Sequence, residues 1–92
     1  MGSEQNIEIR RKRLKFRCWH RGTKEADLLL GGFADAHIDE LDEAELDQLE
    51  DILAHNDIDL YNWIGGYSPW PANVANDMTE RLTQFCAEGG HR

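Results

Sequence analysis

No stretch of this sequence is apolar for long enough to cross a bilayer, which takes about 20 consecutive apolar residues. That absence excludes a membrane-inserted protein of the helical kind. Cysteine is scarce. Cys18 and Cys86 stand far apart and form no CxxC pair. A disulfide scaffold is thereby excluded, and a reducing compartment is expected. The two prolines both fall in Ser68-Pro69-Trp70-Pro71, which reads as a rigid loop. Strand patterning is missing, since no segment alternates apolar and polar residues over a useful length. No GxSxG elbow or phosphate-loop glycine pattern occurs. The metal-ligating residue types Cys18, His20, His37, His55, Cys86 and His91 lack zinc-site spacing. Cys18 and His20, two residues apart on a helix, point to different faces and make a poor nucleophile–base pair. No signal-peptide pattern is present. Glu4 and Glu8 argue against an Arg-rich presequence. The expected compartment is the bacterial cytoplasm, or the mitochondrial matrix for a processed eukaryotic form.

What is present is charge, strongly segregated. The net charge of -8 disfavours nucleic acid as a partner. Yet eight basic residues lie between Arg10 and Lys24, a span that holds no acid, and eight acids lie between Asp39 and Asp51, a span that holds no base. The expectation is one basic and one acidic region on the folded surface. A chain of 92 residues makes one small domain. It buries roughly 60–65% of its unfolded surface, which favours binding or chaperone roles over enclosed catalysis.

Helical periodicity repeats along the chain. A first helix is predicted from about Glu8 to His20, with Ile7, Leu14 and Cys18 on one face and Phe16 and Trp19 to the side. Gly22 ends it in the left-handed cap conformation. Thr23 caps a second helix carrying Ala26, Leu29, Leu30 and Phe33, weakened near its end by Gly31-Gly32. Asp42 and Glu45 form a capping box for a third helix that buries Leu46, Leu49, Ile52 and Leu53. Asp57 caps a fourth through Leu60, Tyr61, Trp63 and Ile64, stopped by Gly65-Gly66. A fifth runs from about Asn73 to Ala87 through Val74, Met78, Leu82, Phe85 and Cys86. The expected fold is all-α, a compact five-helix bundle over residues 9–88, with flexible tails at 1–8 and 89–92.

Two readings of the basic run stand side by side. It is either a solvated helix face or a docking surface for an acidic partner, to which Phe16 and Trp19 add apolar area. The acidic run is chiefly a solvated face placed well against a helix dipole. For Arg21-Gly22-Thr23-Lys24-Glu25 there are also two readings. Gly22 can be a simple cap and Glu25 a first-turn acid. Alternatively the turn presents Arg21 and Glu25 together, the guanidinium ready for bidentate pairing.

The block Arg21-Gly22-Thr23-Lys24-Glu25 resembles the R-G-x-x-E signature of the succinate dehydrogenase assembly factor 2 family, the bacterial and mitochondrial flavinylation factors. Its context supports the resemblance. A basic, aromatic helix precedes it, and Ala26-Asp27-Leu28-Leu29-Leu30-Gly31-Gly32-Phe33 looks like the family's second helix. Asp57-Ile58-Asp59-Leu60-Tyr61-Asn62-Trp63-Ile64 looks like its D-x-D-L-[FY]-x-W segment. His20 departs from the arginine often found there, and Lys24 adds charge within the variable pair.

The resemblance implies a non-enzymatic assembly chaperone. It would bind the flavoprotein subunit of succinate dehydrogenase, with the related fumarate reductase flavoprotein as a further candidate. It would promote autocatalytic covalent attachment of FAD to a histidine of that partner. FAD would be the partner's cofactor, with none tightly bound by this chain, which is expected to be a monomer when free. The partner-binding residues it suggests are Arg21, Gly22 and Glu25, with Arg13, Arg17, Trp19 and Asp27 around them. Trp63 and Tyr61 can belong to either the core or the interface, with the core preferred. Gly22→Arg is expected to abolish function by blocking the contact and by straining a left-handed position. The alternatives are a helical protein–protein adaptor unrelated to flavin and a nucleic-acid module using the first helix.

Overall fold

Local capping chemistry sets where each helix begins, and apolar faces decide how the helices pack. The computed structural model describes residues 3–89, with side chains of the first helix from residue 7 onward. The outer parts of the expected tails, 1–2 and 90–92, lie outside the described residues, and His91 with them.

Five α-helices follow one another: α1 (Ser3–Trp19), α2 (Lys24–His37), α3 (Glu43–Leu53), α4 (Asp57–Ile64) and α5 (Asp77–Ala87). A 3-10 turn, Ile38–Glu40, joins α2 to α3. The bundle is all-α among the described residues, as the periodicity implied. The Cα radius of gyration, 12.7 Å, is that of a compact chain of this length.

Thr23 caps α2 by accepting the Ala26 N–H at 3.2 Å. Asp42 and Glu45 form the expected capping box on α3, at 2.8 and 3.0 Å. Several expectations need correction. Helix α1 begins at Ser3 rather than near Glu8. Asn56, not Asp57, caps α4, accepting the Asp59 N–H at 2.8 Å. Helix α5 starts at Asp77 rather than Asn73. The Val74 and Ala75 N–H groups instead bond the Pro71 carbonyl, closing a separate turn. Asn76 is fully extended, and only from there does a capping box with Thr79 launch the helix.

Each helix buries one stripe. Leu14 and Cys18 of α1 meet Leu30 and Phe33 of α2, Leu46 and Leu49 of α3, Leu60 of α4 and Leu82 of α5 in a single core. Fully burying a side chain of Leu or Phe size is worth roughly 1.5–3 kcal/mol. Trp63 and Trp70 pack against the edge of this core, 5.4 Å apart. Trp63 thus borders the core as preferred, whereas Tyr61 is exposed and stacks on the exposed Tyr67 at 5.5 Å. Helix α2 runs straight through Gly31-Gly32 to His37. Beside Gly31 the Trp19 ring occupies the space a side chain would take.

Segregated charge in the sequence becomes paired charge in the fold. Helix α1 lies along α3. Arg10 reaches Asp47 and, at 3.2 Å, Glu50, while Arg17 reaches Glu50 at 3.5 Å. Arg11 donates to the Leu41 carbonyl at 2.7 Å, and Lys15 pairs with Asp35 at 3.3 Å. Part of the basic run is therefore tied to part of the acidic run, and the two are not held fully apart as the sequence suggested. Opposite charges attract across the helix pair and partly neutralise one another.

Candidate functional site

The α1–α2 turn packs against the corner between α3 and α4, and the guanidinium of Arg21 makes the join. Arg21 Nε donates to Asp57 Oδ1 at 2.8 Å. Its two terminal nitrogens donate to the Leu53 carbonyl at 2.7 Å and the His55 carbonyl at 2.6 Å. The backbone N–H of Arg21 donates to Asp27 Oδ1 at 2.6 Å. Helix dipoles favour this arrangement twice over. The cation sits at the carbonyl end of α3, and the Asp57 carboxylate sits in the first turn of α4.

Arg21 is thus not presented on the surface beside Glu25. Its side chain keeps only 11% of its exposure, and each of its three nitrogens donates to a carbonyl or a carboxylate of the chain itself. Asp27 is half-buried and also turned to internal work, fixing the turn. Gly22 is exposed, but it does not adopt a left-handed conformation. Among the described residues only Gly66 and Gly89 have positive φ. The constraint at Gly22 is one of space, since a Cβ there would stand 3.0 Å from Asp57 Oδ2. The strain expected for Gly22→Arg therefore comes from this carboxylate and not from the backbone angle.

Glu25 is exposed on the first turn of α2. With Thr23, Asp57, Ile58 and Tyr61 it lines a surface depression of about 310 Å³. Ile58 is 74% exposed, far more than an isoleucine of a well-packed first turn requires. Leu28, one turn after Glu25, and Tyr67 are also exposed. Hydrogen bonding to Tyr67 raises the Tyr61 phenol above its ordinary value, and the Glu25 charge adds to the shift.

The remaining sequence candidates divide. Trp19 is half-buried, and its indole Nε1 donates to Asp35 Oδ1 at 3.1 Å. Arg17 is exposed but engaged with Glu50. Arg13 is exposed and has no ion-pair partner among the described residues. Phe16, 63% exposed, stacks on His20 at 3.9 Å just before the turn. Sequence reasoning missed Asp57 and Ile58 as members of the site. An apolar residue next to the cap of α4, in a helix whose buried positions are Leu60 and Ile64, was the available signal.

A family profile described as "Flavinator of succinate dehydrogenase" matches residues 12–86, most of the chain and the whole of this site. The chain belongs to the succinate dehydrogenase flavinator family. Among its relatives in the family is the FAD assembly factor SdhE of Acetobacter pasteurianus. It is 43% identical over 82 residues, which cover 89% of this chain and 75% of the relative. The mitochondrial succinate dehydrogenase assembly factor 2 of Drosophila grimshawi is 35% identical over 80 residues, covering 85% of this chain and 54% of that protein. The Aspergillus flavus protein of the same description is 34% identical over 87 residues, covering 94% and 30% respectively. The chain thus spans about half or less of these two mitochondrial flavinators. No described helix of this chain is long and apolar enough to cross a membrane.

Proposed function

We propose that this chain binds the flavoprotein subunit of succinate dehydrogenase and promotes covalent attachment of FAD to it. The observation that carries this reading is the flavinator match over residues 12–86, which includes the α1–α2 turn with its exposed Gly22 and Glu25. The docking face combines that turn with Ile58 and Tyr61 of α4, and Arg13 and Phe16 extend it along α1.

The factor acts as a chaperone, and the flavoprotein makes the bond autocatalytically. Two features support this division. Burial pushes the Cys18 thiol up to about 12 and the Cys86 thiol up to about 11, so neither offers a thiolate nucleophile near neutrality. The depression beside Glu25 and Asp57 is lined by carboxylates, which repel a pyrophosphate. FAD accordingly stays with the partner. Binding energy spent on one conformer of the flavoprotein raises the population in which the acceptor histidine and the flavin 8α-methyl group are aligned. The chain is a monomer when free, works in the bacterial cytoplasm, and serves the related fumarate reductase flavoprotein by the same face. A nucleic-acid role is disfavoured by the net charge of -8 and by the pairing of Arg10 and Arg17 with acids of α3.

The test is covalent flavin in the succinate dehydrogenase flavoprotein expressed with and without this chain, read as flavin fluorescence on a denaturing gel. Fluorescence should rise with the wild-type chain and stay at background with Gly22→Arg. Equal fluorescence with and without the wild-type chain would overturn the proposal.

A further inference from the structure

The docking face is assembled from two distant segments. Glu25 and Thr23 come from the start of α2, and Ile58 and Tyr61 come from α4. Arg21 and Asp57, which join these segments, are 36 residues apart in the chain. We infer that Arg21 is a positioning residue for flavoprotein docking, one that sets the exposed face of α4 against the α1–α2 turn without itself touching the partner. This inference rests on the docking function proposed above.

Three observations support it. First, the guanidinium has internal partners at all three of its nitrogens, at 2.6–2.8 Å. A carboxylate of the flavoprotein would have to displace them before it could pair. Second, those partners are the levers of the corner. The Leu53 and His55 carbonyls fix where α3 ends, and Asp57 is the first residue of α4. Ile58 follows Asp57 directly, and Tyr61 lies one turn further on. Third, Gly22 belongs to the same device. Its lack of a side chain leaves room for the Asp57 carboxylate that Arg21 holds. A lysine at position 21 would not serve, because a compact ammonium cannot reproduce a planar fork aimed at two carbonyls and a carboxylate.

The experiment uses the full-length chain, uniformly labelled with 15N, and the succinate dehydrogenase flavoprotein. Arg21→Lys, Asp57→Asn and the double variant are compared with wild type. Arg21→Lys should shift the Ile58 and Tyr61 amide resonances of the free chain and weaken flavoprotein binding tenfold or more. Asp57→Asn should behave alike. The double variant should bind no more weakly than the worse single variant, because both remove one device. Fold-losses that multiply in the double variant would mean that Arg21 contacts the partner directly, and would overturn the inference. Variants that melt lower yet bind with wild-type Kd would overturn it too, since Arg21 would then be a stabiliser only. If wild type fails to bind the flavoprotein, the docking function falls. The α4 resonances then judge the positioning role alone, and unmoved Ile58 and Tyr61 signals would end it. Should Arg21→Lys fail to fold, Asp57→Asn supplies both readouts.

Discussion

The indole of Trp19 lies so close to Gly31 that a Cβ on that glycine would stand 2.2 Å from Trp19 Cδ2. Two helices can approach this closely only where one of them lacks a side chain. The same approach brings the indole N–H to Asp35 on α2. The glycine therefore costs α2 some helix propensity and returns a tighter α1–α2 contact.

This relationship reverses the usual effect of filling a helical glycine. In an open helix Gly→Ala is worth about 1 kcal/mol of added stability. Here the new methyl must displace a large ring from the core edge, and such overpacking costs roughly 1–3 kcal/mol. The clash is far below any real Cβ contact, so overpacking should win. Gly31→Ala is expected to lower Tm by several degrees in a thermal melt followed by circular dichroism. An unchanged or raised Tm would show that the indole moves aside freely.

Ile58 gives the most direct separation of docking from folding. It is largely exposed, and an acid in the first turn of a helix suits the dipole. Ile58→Asp should therefore change stability by no more than about 0.5 kcal/mol. It should nonetheless weaken flavoprotein binding tenfold or more, because it puts an unpaired charge into the apolar part of the docking face. Calorimetric titration against the flavoprotein checks this. Wild-type affinity would remove Ile58 from the face.

The contrast between what was legible in the sequence and what was not follows the range of the interactions. Thr23, the Asp42–Glu45 box and the Gly65-Gly66 stop act within one turn, and their residue types announce them. The core stripes of α2 and α3 were legible for the same reason. The partners of Arg21 lie more than 30 residues away, and two of them are backbone carbonyls, which carry no residue signature. Gly31 read as a weak helical position because its reason, Trp19, sits on another helix. The basic run read as a free surface because nothing local shows that α1 will lie along α3. The α1–α2 turn itself was legible through its RGxxE pattern. The inward aim of its arginine was not.

The α1–α3 charge pairs should be weak and salt-sensitive. Arg10 bridges Asp47 and Glu50, both well exposed. Hydrogen bonding to Asp47 leads in raising the Arg10 guanidinium above its ordinary value, so the group stays charged at any useful pH. Exposed pairs of this kind contribute about 0.2–1 kcal/mol, and salt screens them. Arg10→Ala should lower stability by that amount in low salt, with most of the difference gone near 1 M salt. Urea melts at the two ionic strengths check it, and a difference that persists in high salt would point to lost packing of the arginine stem.

Cys18 should make the fold sensitive to alkali. Burial pushes its thiol from an ordinary value of 9.0 up to about 12, with Arg21 and Arg17 opposing the shift only in part. Below the ordinary value both folded and unfolded chains hold the proton, and the thiol adds no pH dependence. Between that value and about 12 the unfolded chain loses the proton while the folded chain keeps it. The unfolded state then binds fewer protons, so stability must fall as pH rises, by up to about 1.4 kcal/mol per pH unit. Other groups titrate in this range, which makes Cys18→Ala the necessary comparison. Its urea midpoint should decline less steeply than that of wild type between about pH 8 and about pH 11. Parallel declines would mean that the thiol ionises in the folded chain, and that the space around Cys18 is wetter than its complete burial indicates.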